Sequence, residues 1–328
     1  MYATNAGVFV SDAHGRATQL DVTGPADVVS SFSVSRDRRL FSWSVQPEFG
    51  LDRWKGSRLV VADLVAHRVD TYSWHGRPEE AEDDDVPPTV GAAPTSLVAV
   101  FHGQLVRFED NGQVQSSTLD IPVAGAPGAP EYSPCGFSRY EALGQFNDHV
   151  LITAHYPTGG NEPGSQVLTF APDGSDGRYE FDASGGPSDV TQPLGDGSLL
   201  FIDGGHQWRS VQRITTGESR GSSIDITPPA GPPLAGWGVM ANSLTYNEGQ
   251  IYVSYNVSAA NYDQARTYVA TIDATGAHNV DLAASWVEAG PRRSLAYIAD
   301  DGRLIVRDSV GSETTIAASV TTATWTGG

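Results

Sequence analysis

The two ends of the chain read as parts of one structural unit. Tyr297, Gly302 and Ile305 follow one another at the same intervals as Tyr2, Gly7 and Val10. Trp286 and Gly290 precede the first set, and the chain finishes on Trp325 and Gly328, so placing the end before the beginning continues the pattern. A ring built from sheets must join its last unit to its first or leave edges open to foreign pairing, and matching ends are what that closure requires.

Between the ends the periodicity is that of strands. Residues 40–45 and 250–255 alternate apolar and polar side chains, and no segment sustains apolar spacing at the helical period. Seven hairpins recur, each with a polar turn rich in Asp, Asn or Gly. They span 8–22, 59–72, 105–121, 167–181, 211–226, 269–282 and 304–316. Asn111-Gly112 and the Asp12 to Gly15 spacing suit tight turns, because Asn and Gly accept positive φ at little cost. Two further strands fit between successive hairpins, most clearly 31–35 with 40–45, 240–246 with 251–255, and 285–288 with 295–299.

Four strands per unit and seven units, at about 47 residues each, predict an all-β, seven-bladed β-propeller with four antiparallel strands per blade. Residues 1–328 then form one domain, its closing blade made from about 1–22 plus 317–328. A two-sheet sandwich or a pair of smaller β domains is the competing reading, and neither produces seven similar hairpins or matching ends. Six or eight blades would follow if the unit around 86–121, whose first strand is weakly marked, were divided differently. The stretch from Phe32 to Trp43, with Ser35 and Asp37 in its turn, resembles the Ser-x-Asp-Gly turn of WD40-like and TolB-like propeller repeats. Arg38 stands where that pattern usually has Gly, and no other unit repeats the motif cleanly. The resemblance implies the fold, and fold does not fix function.

Charge excludes some partners. With 39 acidic residues against 20 basic ones the net charge is −19, a field that repels nucleic acid and anionic lipid. Apolar runs such as 97–101 and 150–152 are far too short to cross a bilayer, so direct membrane insertion is not expected. Met1 does not open a leader. A chain starting mid-repeat is expected behind a removed leader or anchor, at an extracellular or cell-surface location. The preference for Arg over Lys, whose sole example is Lys55, fits a GC-rich bacterial genome. Cys135 is the only cysteine, so no internal disulfide can form. The expected state is a monomer.

In an up-and-down blade, the turns joining strands one to two and three to four share one end. The other connections share the opposite end. Here the first set is short, including 36–39, 195–198 and 247–249, while the second includes 46–56, 75–95, 122–135, 155–165, 203–207, 228–236 and 256–265. Long irregular connections on a rigid scaffold are where binding and catalysis usually sit. Arg53, Trp54 and Lys55 place a flat ring between two cations, and Tyr132, Tyr156, Trp208, Trp237 and Tyr262 add rings in or beside the other connections. Asn161, Glu162, His206 and Asp263 add directional polar groups. Rings with a few polar groups suit a protein, glycan or small-molecule ligand. For any one ring, packing between blades is the better account; their shared face is what points to a site.

Catalytic signatures are scarce. Gly217 to Gly221 spells Gly-x-Ser-x-Gly, but in the turn of a predicted hairpin, whereas a nucleophile elbow needs a strand-to-helix turn. His155 and His206, on the elaborated face, are the candidates for acid–base chemistry. Cys135 after a loop reads as an inert thiol. The run from Glu79 to Asp85 holds six carboxylates that could collect Ca²⁺, yet it lacks the Gly turns and alternating spacing of a calcium loop and reads as a solvated acidic segment. No cofactor is therefore expected. The leading expectation is a binding module using its long-loop face. A lyase or hydrolase with its site at the opening of that face is the alternative, and a structural scaffold the third.

Overall fold

The computed structural model describes residues 1–12, 15–24, 27–29, 32–47, 57–73, 89–101, 103–122, 139–146, 148–156, 164–184, 187–190, 198–203, 210–215, 222–226, 238–247, 250–258, 265–273, 275–280, 282 and 284–325. Among them are β-strands but no α-helix, and no helix is long and apolar enough to cross a membrane. The strands are β1 (Tyr2–Thr4), β2 (Gly7–Ser11), β3 (Ala17–Val22), β4 (Asp27–Val29), β5 (Ser33–Val34), β6 (Leu40–Pro47), β7 (Arg58–Asp63) and β8 (Arg68–Ser73). They continue with β9 (Val90–Ala92), β10 (Ser96–Phe101), β11 (Gln104–Glu109), β12 (Val114–Thr118), β13 (Arg139–Phe146), β14 (His149–Tyr156), β15 (Gly164–Phe170) and β16 (Arg178–Ser184). Then come β17 (Pro187–Val190), β18 (Ser198–Asp203), β19 (Ser210–Thr215), β20 (Ser222–Asp225), β21 (Gly238–Asn247), β22 (Gln250–Ser258), β23 (Ala265–Asp273) and β24 (Gly276–Val280). The last are β25 (Ala284–Ala289), β26 (Leu295–Ala299), β27 (Leu304–Arg307), β28 (Glu313–Ala317) and β29 (Thr322–Ala323).

The fold is an all-β propeller of antiparallel meanders. Each of the seven hairpins expected from turn chemistry is present as two neighbouring strands: β2–β3, β7–β8, β11–β12, β15–β16, β19–β20, β23–β24 and β27–β28. The chain divides into two compact units, one of Met1–Val10 with Ala17–Asp182 and one of Ser11–Arg16 with Ala183–Gly328.

In the first unit β1, β2 and β3 run as a meander. The next sheet has β4, β6, β7 and β8 in order, with β5 also on β6, so its first strand is split into two short pieces. The strands β9 to β16 form one eight-stranded sheet made of two four-stranded meanders, joined by a parallel contact of β9 with β13 at Ala92 and Gly144. In the second unit β17–β20, β21–β24 and β25–β28 are separate four-stranded sheets. Seven blades are counted only if the eight-stranded sheet is divided at its parallel join and β1–β3 are completed by a fourth strand.

Burial explains why several strands read as continuous apolar runs. Phe41, Trp43, Val60 and Ala62 belong to one apolar cluster with Ala3 and Val8, while Leu40, Leu59 and Val61 belong to another with Leu97, Ala99 and Phe108. Val98, Val100 and Leu105 turn the other way, toward Ala142, Ile152, Ala154, Leu168 and Phe170. Neighbouring residues point to opposite faces of a strand, so a blade covered on both sides needs apolar residues at both parities. Each Val, Leu, Ile or Phe side chain so placed contributes roughly 1.5–3 kcal/mol on burial. The second unit follows the same rule, with one cluster around Leu200, Ile202, Val253 and Tyr255 and another around Val269, Val287, Leu295 and Ile305.

Glycine sets the join in the eight-stranded sheet. A Cβ on Gly91 would fall on the backbone N and Cα of Gly144, and Gly144 has φ +135. Only two residues without side chains let β9 and β13 approach this closely. The weakly marked first strand in 86–121 thus proves to be β9, three residues long and held by this contact.

Candidate functional site

Strand direction puts 36–39, 63–68 and 146–149 at one end of the first unit's blades, where connections are short. The ends of β14 and β16 and the starts of β13 and β15 lie at the other, long-connection end. Of the residues nominated from sequence, Arg53, Trp54, Lys55, Tyr132, Asn161, Glu162, His206, Trp208, Trp237, Tyr262 and Asp263 lie outside the described residues, as do Cys135 and the acidic run 79–85. Tyr156 ends β14, its backbone paired with Gly164. His155 is the nominated side chain that the structure describes.

His155 sits at the long-connection end of β14, opposite Arg139 of β13 and Ser165 of β15. Alternation places Glu141, Thr153, His155 and Ser165 on one face of this blade, while Tyr140, Ala142, Ile152, Ala154 and Leu168 pack on the other. The Ser165 hydroxyl is 2.8 Å from His155 Nδ1, and the second ring nitrogen, Nε2, is 3.5 Å from Glu141 Oε2. An imidazole is thereby held between a hydroxyl and a carboxylate contributed by three adjacent strands. Thr153 stands directly opposite Glu141; its side chain is fully buried and its Oγ1 has no hydrogen-bond partner among the described residues.

Exposure separates two uses of this arrangement. Ser165 is 1 % exposed, so its hydroxyl orients the ring and is not presented to a substrate. The His155 side chain is 13 % exposed and that of Glu141 21 %. Nε2 itself is buried, so the pair meets solvent through the rest of the ring and the partly exposed Glu141 side chain. A neutral ring that accepts from Ser165 at Nδ1 carries its proton at Nε2, toward Glu141. At 3.5 Å that contact is longer than a good hydrogen bond.

Elsewhere carboxylates are absorbed by their own turns. Asp273 accepts from the Thr275 hydroxyl at 2.6 Å and backbone N–H at 2.7 Å, with His278 Nε2 at 3.2 Å, and these bonds hold its carboxyl down at about 2. Asp173 does the same with Ser175 and is likewise lowered. Among the described residues no group of three or more His, Cys, Asp or Glu side chains is placed to hold a metal ion. The Gly-x-Ser-x-Gly segment, 217–221, lies outside the described residues; the strands on either side of it, β19 and β20, pair antiparallel with Arg213 opposite Ser222.

Sequence reasoning missed Glu141, Thr153 and Ser165. Their only signal was polarity inside otherwise apolar strands, and their meeting with His155 depends on register.

No family model matches the chain, and neither does any curated protein sequence. Solved structures do match. An oligogalacturonate lyase in complex with manganese superposes with TM-score 0.54 at 11% identity, over 95% of this chain and 84% of that one. The acylaminoacyl peptidase of Pyrococcus horikoshii gives 0.51 at 9% identity, over 94% of this chain and 47% of the peptidase, so the present chain spans about half of it. TolB from Acinetobacter baumannii gives 0.46 at 12% identity, over 85% of this chain and 62% of TolB. At these identities the likeness shows the β-propeller fold alone.

Proposed function

We propose that this chain is a β-propeller binding module that takes its ligand at the long-connection end, with His155 and Glu141 as polar anchors. The observation behind this reading is the partly exposed Glu141 side chain beside the His155 imidazole, which buried Ser165 orients from behind. A carboxylate acceptor beside an imidazole donor suits a hydroxyl-rich ligand, and the rings nominated at Trp54, Trp208 and Trp237 would supply stacking faces for a glycan. The net charge of −19 favours neutral over acidic sugars. A single seven-bladed, monomeric domain belongs to the same proposal: six meanders of four main strands leave three strands at the start and β29 at the end to make a seventh. An extracellular or cell-surface setting goes with it.

The test is an array of neutral and uronic oligosaccharides, followed by titration calorimetry of its best binder against wild type, His155→Gln and Glu141→Gln. Each substitution is expected to weaken binding about tenfold or more, as the loss of a hydrogen bond to a charged or polar anchor does. Undiminished binding in both variants would refute the location.

The same histidine–carboxylate contact supports a second reading, an enzyme in which His155 moves a proton. Turnover of the bound oligosaccharide, followed by chromatography, that vanishes in His155→Gln while binding persists would select it.

A further inference from the structure

The opposite end of the first unit holds arginines that, among the described residues, no carboxylate contacts. Arg36 lies in the turn between β5 and β6, whose backbone is fixed by N–H bonds from Arg36 to Ala93 O at 2.9 Å and from Asp37 to Pro94 O at 3.0 Å. Its guanidinium donates through Nη2 to the Gln145 backbone oxygen and lies 4.7 Å above the Phe146 ring. Arg107 on β11 reaches the same glutamine, donating from Nη2 to Gln145 Oε1 at 2.5 Å, and also donates to Ser96 Oγ at 3.1 Å and Pro172 O at 3.0 Å. Every one of these acceptors is neutral. Arg38, two residues along the same turn, has a buried Nη1 with no hydrogen-bond partner.

The rest of the chain treats arginine differently. Arg39 meets Asp63 and Asp110, Arg58 meets Asp21, Arg68 meets Asp70, and Arg307 meets Glu313. Acids outnumber bases 39 to 20, so carboxylate partners are plentiful. Yet among the described residues Arg36, Arg38 and Arg107 form no ion pair. The nearest acid in sequence, Asp37, is used by its own turn, accepting from Ser35 Oγ at 2.6 Å and from the Arg39 N–H at 3.2 Å. Burial lowers the pKa of Arg36 and of Arg107, which is the mark of a guanidinium losing water. A guanidinium offers five N–H donors, and Arg36 uses one side-chain donor here. Glu109 acts on Arg107 by charge attraction without an ion-pair contact, and half-buried guanidiniums with spare donors and no carboxylate in contact are costly unless an anion completes them.

We infer that Arg36 and Arg107, bracketing Gln145, form a binding site for a small oxyanion, a carboxylate or phosphate group, at the short-turn end of the first unit. It lies away from the His155 site and does not depend on the function proposed there. The probes are inorganic phosphate and succinate, each compared with sodium chloride at matched ionic strength by differential scanning fluorimetry. Either oxyanion is expected to raise Tm by about 2–4 °C at about tenfold its Kd, and Arg36→Gln and Arg107→Gln each abolish that increment. A response to phosphate alone assigns the group to phosphates, and a response to succinate alone assigns it to carboxylates. Arg303→Gln, whose parent side chain is paired with Asp301, keeps the wild-type response. If a Gln variant fails to fold, Arg36→Lys keeps the charge without the planar fork and is expected to weaken phosphate at least tenfold in calorimetry. Equal effects of chloride, phosphate and succinate on wild type, or variants that respond as wild type does, would overturn the site.

Discussion

The two ends of the first unit's blades use polar residues in opposite ways. At the short-turn end, Asp63 is buried and fully engaged by Arg39 at 3.0 Å and by the Val65 and Ala66 N–H groups at 3.0 and 2.8 Å. Nearby Gly91 and Gly144 bring two backbones into contact. That end is built for shape, and Arg36, Arg38 and Arg107 are left there without an ion pair among the described residues. At the long-connection end, Glu141 and His155 meet across strands, and their side chains stay partly exposed. The lesson is that a carboxylate closing its own turn has its hydrogen bonds satisfied locally, whereas one reached by register faces whatever approaches the blade.

Four measurements would break or sharpen this contrast. Gly91→Ala should have the largest effect, about 3 kcal/mol by urea denaturation, because the added Cβ falls on Gly144 backbone that cannot move aside. Wild-type stability in this variant would mean that the join is not a structural element. Asp21→Ala should cost about 1.5–3 kcal/mol, since one carboxylate oxygen accepts from Trp43 Nε1 at 3.0 Å and Arg58 Nη1 at 2.7 Å. Asp21 lies at the long-connection end, so this loss would show that some polar groups there are structural. His155→Gln should cost at most about 1 kcal/mol in stability while weakening oligosaccharide binding. A cost equal to that of Gly91→Ala would erase the distinction between the two ends.

The smallest effect concerns pH. Asp273 has a folded pKa of about 2, below its ordinary carboxylate value, first because the Thr275 hydroxyl donates to it. A depressed folded pKa contributes stability that is present above the unfolded value and lost as pH falls through the folded one. The Tm difference between wild type and Asp273→Asn should therefore hold near neutral pH and shrink between about pH 4 and pH 2. A difference that grew on acidification would contradict the turn assignment.

Much of the architecture was legible because it is local. Asn111-Gly112 and Asp173 with Gly174 announce hairpins through turn chemistry that involves a few consecutive residues, and the observed strands fall where those turns put them. The join of β9 to β13 was not legible. Gly91 reads as one more small residue in a poorly marked strand, and its role appears only when Gly144 lies against it. The site was half legible. Connection length drew attention to His155, but Glu141 lies one strand earlier and Ser165 one strand later, and nothing between them in sequence signals that they share a face.

By itself, the sequence determined the strand period, the hairpin turns and the net charge, because each depends on residue types at fixed short spacing. Tertiary structure decided which side chains became partners. Register chose Ser165 and Glu141 for His155, and the packing of neighbouring meanders left Arg36 and Arg107 on Gln145 with neutral acceptors. The physical reason is that strand pairing converts large sequence separations into contacts of about 5 Å between Cβ atoms. A one-residue slip in that pairing would send every one of these groups to the other face.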